Sequence, residues 1–436
     1  MNASTHHRSP ITPHAGTSHG QALAASLPHP MPAAARTALR LLKELRYGVL
    51  TLQLPDGSHH RFGQIHASDG TPHATATPHA TLILHNWKVF GATLKSGDIG
   101  FAEAFIAGDW SSPDLVALLQ LFSANRKPLE ALVYGTWLGR LLYRLRHLRQ
   151  HNSRRNSRKN IHAHYDLGNA FYRLWLDETM NYSSAWFAGD YGADLATAQT
   201  AKVRRALDQT GVGAGHRVLE IGCGWGALAE EATLRRGASV VGVTLSNEQL
   251  AYANARLAAA GVTTGPQQSA DLRLQDYRDI ADAPFDAICS IEMIEAVGQQ
   301  YWPSYFVTLS RLLKPGGKAC IQSIVIDDAL FARYAASTDF IQQYIFPGGC
   351  LPCPREFVQA AEAAGLELEC TFAFGLDYAE TLRRWRLQFL SCQSDVLALG
   401  FDTRFLLIWT FYLAYCEAAF RSGDIDLIQY TLRKPA

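Results

Sequence analysis

The chain has 436 residues, 48% hydrophobic and 18% charged, so it can bury two or three domain-sized cores and lacks the composition of a disordered or fibrous protein. Its formal net charge of +1 gives no bulk attraction for a polyanion. No apolar run approaches the ~20 residues that cross a bilayer, and the eight scattered cysteines, with no leader segment ahead of them, read as thiols of a reducing cytoplasm.

Residues 1–32 are rich in His, Pro, Ala, Ser and Thr without an apolar period, and are expected to form a disordered tail. Order is expected to begin with a helix from Ala34 to Tyr47, where Leu39, Leu42 and Leu45 recur at helical spacing. Gly48 to Leu54 alternates like a strand and runs into a turn at Pro55 to Ser58; Ala80 to His85 is a second strand. Phe101 to Ile106 and Ser112 to Phe122 read as helices, the latter opened by the capping signal around Asp114. Residues 33–135 are therefore taken as a small α+β domain.

Residues 136–160 form a basic linker. Arg140, Arg144, Arg146, Arg149, Arg154, Arg155, Arg158 and Lys159 follow one another with no acid between them. Two readings stand side by side: a solvated helix, or a patch for anionic lipid headgroups. No recognition module accompanies it, so nucleic acid is not an expected partner. From 161 to 436 strands and helices alternate. Arg217 to Ile221, Ser239 to Thr244, Phe285 to Ser290 and Lys318 to Val325 are the strands. Ala227 to Arg236, Asn247 to Ala260 and Tyr301 to Leu313 are the helices, the last stopped by Lys314-Pro-Gly-Gly317. This order predicts a doubly wound α/β sheet.

The sharpest signal lies at the first of these strands. Glu220 is followed by Gly222, Gly224 and Gly226, then by a helix; alternate glycines let the backbone turn tightly and approach a ligand. The spacing is E-x-G-x-G-x-G, not the G-x-G-x-x-G of dinucleotide enzymes. It resembles motif I of the class I methyltransferases, with a Rossmann-like fold. The resemblance puts the loop against the methionine part of S-adenosylmethionine, with the helix N-terminus favouring its carboxylate. The next strand carries no acid at its tip for the ribose hydroxyls; Thr244 and Gln249 can donate and accept instead. Gln275 and Asp276 stand where such folds hold the adenine.

Further motifs follow in an order that resembles the cyclopropane fatty acid synthases and mycolic acid methyltransferases. They are His164 to Asn169, Phe171-Tyr172, Met180 to Phe187, Gly242 to Ser246, Ile291 to Gly298, Tyr344 to Gly349 and Phe374 to Tyr378. The segment from Gly97 to Trp110 resembles part of the additional lipid-binding domain of the full-length bacterial enzymes, so the likeness spans residues 35 to 433. It implies methyl or methylene transfer from S-adenosylmethionine to the cis double bond of unsaturated acyl chains in membrane phospholipids, forming cyclopropane fatty acids. It implies a peripheral enzyme at the cytoplasmic face of the membrane, a homodimer, and cofactor contacts from Tyr182 and Ser183.

The resemblance also implies a bound bicarbonate near the carbocation, held by residues that fall here on Ser184, Glu295, Gln322, Ile324 and Tyr378. Serine stands in place of the family's cysteine and glutamine in place of its histidine. Both still hydrogen-bond an anion, but neither serves as a base near neutral pH, which leaves Glu295 to orient the base or act as one. The same departures open a second product, a methylene- or methyl-branched chain. Methylation of a small molecule and non-catalytic lipid binding are the remaining alternatives. Cys350 and Cys353 form a C-x-x-C with no second pair, so no metal is expected.

Overall fold

Gly48 to Leu54 alternates as expected and becomes strand β1 (Gly48–Gln53), with Leu50 and Leu52 buried on one face. In this computed structural model the described residues are 31–64, 79–130, 167–265 and 269–436. The tail, the basic linker and His164 fall outside them. β1 is preceded by α1 (Ala33–Leu42) and turns through Gly57 into antiparallel β2 (His59–Gln64). β3 (His79–Leu84) then pairs with β1 in parallel and with the short β4 (Trp110–Ser111) antiparallel, giving the order β2-β1-β3-β4.

Between β3 and β4 runs α2 (Lys88–Ile106), of which the sequence indicated only the last turns. Its first half is hidden by glycines. Gly97, at φ +62, kinks the helix, and a Cβ on Gly100 would stand 2.1 Å from the Ala92 carbonyl oxygen. The helix α3 (Leu115–Ala124) starts where the capping signal placed it: the Asp114 carboxylate accepts from the Ala117 N–H at 2.9 Å.

The second sheet has seven strands. They are β5 (Arg217–Ile221), β6 (Ser239–Thr244), β7 (Ala270–Leu274), β8 (Phe285–Ile291), β9 (Leu313–Ile326), β10 (Glu367–Ala373) and β11 (Ile425–Arg433). Their order is β10-β11-β9-β8-β5-β6-β7, with β11 antiparallel to both neighbours. The chain enters at β5, builds outward to β7, then returns to β8 on the other side of β5. The crevice at the carboxyl ends of β5 and β8 is thus the topological switch point, where open α/β sheets bind ligands. The helices α4 (Asn169–Arg173), α5 (Leu195–Thr210), α6 (Ala227–Arg236), α7 (Asn247–Ala259) and α8 (Trp302–Leu312) surround this half.

Two boundaries differ from expectation: α1 stops at Leu42, not Tyr47, and β9 starts early. The stretch Lys314 to Gly317, read as a helix stop, already belongs to β9. Its backbone pairs with the chain beyond β11: Gly316 N–H donates to Lys434 O at 2.9 Å, and Lys434 N–H to Gly317 O at 3.0 Å. Long-range pairing overrides the local Pro-Gly signal here.

After β9 come α9 (Asp328–Ala335), α10 (Phe340–Tyr344) and α11 (Pro354–Ala363), and between β10 and β11 lie α12 (Gly375–Ser391), α13 (Gln393–Ala398) and α14 (Thr403–Arg421). The aromatic-rich α12 and α14 share one continuous apolar cluster with α1, α2, α3 and the four-stranded sheet. Phe411 of α14 lies at its centre, fully buried, 5.6 Å from Phe105, 6.5 Å from Trp110 and 4.9 Å from Phe340 between ring centroids. Phe411→Ala should therefore destabilise the chain by about 3–5 kcal/mol. The check is a lowered urea midpoint at unchanged slope.

Candidate active site

Four strand ends converge on the switch point. The loop after β5 supplies Gly222 and Gly224, β6 ends in Thr244, β7 is followed by Gln275 and Asp276, and β8 by Glu292. With Tyr182 and Ser183 these residues line a cavity of about 170 Å³ that also takes in Glu220 and Gln249. A Cβ on Gly224, at φ +49, would meet nothing within 4 Å, so the backbone is exposed to the cavity. Gly226 is different. It is absent from the lining, and a Cβ there would stand 3.0 Å from Ala253 Cβ. It is a packing glycine between α6 and α7, at φ +85, and not a cofactor contact as the spacing suggested. The other nine predicted cofactor residues share the cavity.

Their polar groups are only partly engaged. Thr244 Oγ1 donates to Gln249 Oε1 at 2.8 Å, and Gln275 Nε2 donates to Asp279 O at 2.9 Å. The Asp276 carboxylate accepts from Arg278 Nε at 2.8 Å and from its Nη2 at 2.5 Å. Glu220 is buried, and its Oε2 has no hydrogen-bond partner among the described residues. Burial pushes its carboxyl up to about 8, with Lys202 pulling the other way.

A second cavity, about 390 Å³ and predominantly apolar, opens on the other side of Glu292. One wall carries Leu82, Phe90, Leu119 and Phe122 from the first 130 residues; the other carries Ile324, Phe346 and Tyr412. Tyr182, Glu292 and Ala296 line both cavities, so the two meet there.

At this junction stand all five residues that the resemblance placed in the site, with a sixth that the sequence reading missed. Glu292 follows directly after β8, at φ +51, a conformation rare for a residue with a side chain. Its Oε1 accepts from Ser184 N–H at 2.9 Å and from Gln322 Nε2 at 2.7 Å, and its Oε2 accepts from the Tyr378 hydroxyl at 2.7 Å. The Glu295 Oε1 accepts from Ile324 N–H at 2.5 Å, and its Oε2 is enclosed with no partner among the described residues. Ser184 Oγ donates to the Ala185 carbonyl at 2.8 Å.

The orientation of Gln322 is forced. Arg205 can only donate, so the Gln429 oxygen faces its guanidinium. The Gln429 amide nitrogen then donates to Gln322 Oε1 at 2.9 Å, which leaves the Gln322 nitrogen for Glu292. Neither Arg205 nor Gln429 was singled out in the sequence.

Lys202 was also missed. It sits on the buried face of α5, its Nζ donates to Ser183 Oγ at 2.5 Å, and burial pushes its pKa down to about 8. Glu292, Asp177 and Glu220 are the charges that hold it up. Burial raises Glu295 to about 8, reinforced by repulsion from Glu292. Burial also raises Glu292, while Lys202 and then the Tyr378, Ser184 and Gln322 donors pull it back. Glu292 therefore carries the charge of the pair and Glu295 the proton.

Residues 152–430 match the family model for mycolic acid cyclopropane synthetase. The chain belongs to that family. It is 40% identical over 376 residues to a tuberculostearic acid methyltransferase of Mycobacterium tuberculosis, covering 84% of this chain and 86% of that protein. It is 34% identical over 360 residues to the cyclopropane-fatty-acyl-phospholipid synthase of Escherichia coli, covering 80% and 87%. The crystal structure of mycolic acid cyclopropane synthase CmaA1 complexed with SAH and CTAB superposes with a TM-score of 0.58 at 31% identity, covering 64% of this chain and 98% of that one.

The protein is accordingly an S-adenosylmethionine-dependent lipid methyltransferase with the class I fold. Its first cavity fits that cofactor: the unpartnered Glu220 oxygen can receive an ammonium group, and the open face of Gly224 admits a ligand against the backbone. A bound cation favours the Glu220 carboxylate over the acid. Affinity for S-adenosylmethionine should therefore rise as the pH is raised toward about 8, by up to about tenfold per unit. Calorimetry in buffers of different ionisation enthalpy should show a proton released at neutral pH, and Glu220→Gln should weaken binding by about tenfold or more and flatten the profile.

Proposed function

We propose that this enzyme methylates the cis double bond of an unsaturated acyl chain, presented by a membrane phospholipid. The observation that carries the reading is the meeting of two unlike cavities at Tyr182, Glu292 and Ala296. One is the more polar of the two and takes in the glycine loop. The other is a largely apolar slot that suits a methylene chain, and its volume of about 390 Å³ falls in the range of small-molecule sites.

When bound, S-adenosylmethionine supplies an electrophilic methyl group. The protein's own residues hold the alkene beside it and keep water from the electron-poor carbon that results. Tyr182, Tyr378 and Tyr412 line the apolar cavity near the junction, and the buried Trp385 packs behind them, 5.6 Å from Tyr182 and 6.2 Å from Tyr378 between centroids. Aromatic faces lining a cavity stabilise a cation held within about 6 Å of them without donating a nucleophile. The Tyr182 and Tyr412 hydroxyls bond to each other at 2.7 Å, which holds both rings in place.

Among the described residues no helix is long and apolar enough to cross a membrane, so the lipid is approached from the surface in this reading. Of the two products open from the sequence we favour the methylene-branched chain. The 40% identical relative is named a methyltransferase, whereas the 34% identical one is named a cyclopropane synthase. A saturated methyl branch has two hydrogens more than the methylene and so requires a separate reduction.

The test is incubation with S-adenosylmethionine and vesicles of cis-monounsaturated phospholipid, followed by proton NMR of the acyl chains. New vinylidene protons are expected. Strongly shielded ring protons would replace the methylene product by a cyclopropane while keeping the substrate, and an unchanged spectrum would overturn the reading.

A further inference from the structure

The family resemblance calls for a bicarbonate beside the carbocation, and the residues present do not fit one. Of the donors that would hold it, Ser184 N–H, Gln322 Nε2 and the Tyr378 hydroxyl all point at the Glu292 carboxylate. The fourth, Ile324 N–H, is taken by Glu295, and Ser184 Oγ is turned to the Ala185 carbonyl. A carboxylate and a bicarbonate present the same planar pair of oxygens to donors. Here that pair is covalently part of the chain.

We propose that the Glu292 carboxylate takes the place of a diffusible bicarbonate and is the catalytic base of this enzyme. The inference rests on the methyl-transfer reading above. In that reaction a C–C bond forms between one alkene carbon and the methyl group as the sulfur–methyl bond breaks, and the other alkene carbon is left electron-poor. One proton must then leave the added carbon. Its C–H electron pair closes the ring, or forms the exocyclic double bond after a hydride shift along the chain. The proton passes to a Glu292 carboxylate oxygen and is returned to solvent between turnovers.

Three further observations support this assignment over Glu295. Glu292 lines both cavities, so its carboxylate reaches the point where methyl donor and acyl chain meet. The relay from Arg205 through Gln429 fixes the Gln322 nitrogen as a donor, so that side of the site requires an anion or another acceptor. The backbone at Glu292 is held at φ +51, a strained conformation that clusters at functional sites. Facing the carboxylate are Lys202, which stabilises its charge, and Glu295, whose own carboxyl is pushed up by burial and by the Glu292 charge.

The experiment compares the full-length protein with Glu292→Gly and Glu292→Gln. Glycine accepts φ +51 without strain, and an unchanged far-ultraviolet circular dichroism spectrum with a cooperative urea transition of unchanged slope establishes that each variant is folded. Carbon-13 bicarbonate is titrated in and its line width followed. The natural protein should show no saturable broadening, and Glu292→Gly should show it. Turnover of unsaturated phospholipid in carbon-dioxide-free buffer should be undiminished in the natural protein. It should fall at least about 100-fold in both variants, the contribution expected of a general base, and bicarbonate should restore part of it in Glu292→Gly only. Saturable bicarbonate binding by the natural protein, loss of its turnover on removing carbon dioxide, or a folded Glu292→Gln variant that keeps about a tenth or more of the activity would each overturn the proposal. A natural protein that modifies no unsaturated lipid would sink the substrate reading, and the bicarbonate titration would still decide the question of the base.

Discussion

Two carboxylates three residues apart, Glu292 and Glu295, line the same predominantly apolar cavity, where burial makes both charges costly. The surrounding structure resolves this by unequal treatment. Glu292 receives three donors and the field of a buried lysine, whereas Glu295 receives one backbone N–H. Much of the architecture is recruited to maintain that inequality. The lysine comes from α5, the glutamine from β9 with its support from β11, the tyrosine from α12, and the serine from the segment ahead of the sheet. Moving any one of these elements would shift the balance of charge between the two acids.

The same lysine ties the site to the cofactor pocket. Lys202 faces Glu220 as well as Glu292. Any change of charge around Glu220 is felt by the lysine, and through it by the carboxylate at the junction. The cofactor pocket and the apolar cavity are thus joined electrostatically as well as sterically, through a residue that lines neither of them.

How much of this was legible follows from the kind of signal each part leaves. The strands β5, β6 and β8 and the helix α6 were read nearly residue for residue, because buried parallel strands are short apolar runs with sharp Gly-rich ends. Nine of the ten residues predicted for the cofactor line one cavity, at the loop after β5 and its neighbours. The exposed β10 does alternate, Leu368, Cys370 and Phe372 against Glu367, Glu369 and Thr371, and that short signal was passed over, whereas the glycines of α2 erased its helical one. Gly226 was misread because a packing glycine and a ligand-facing glycine look alike in a string. Glu292 was overlooked for the opposite reason: it sits inside a familiar motif, next to a glutamate that already had a role. An acid at the carboxyl end of a strand at the switch point was the available clue. Lys202 left a fainter one, a cation at the spacing of Ala198, Val203 and Ala206 on the apolar face of its helix.

The apolar slot has walls of different origin, one from the small four-stranded layer and its helices, the other from the helices above the large sheet. A bore drilled through a single layer would have to be threaded end-on, and its occupant would have to back out along its whole length. A slot between two layers behaves like a clasp. Its contents can be taken in or let go sideways when the halves part, whatever their length. On the acyl-chain reading proposed above, release of a finished chain is set by the grip of Phe105, Phe411 and Phe340 across the seam, and not by friction along the chain itself.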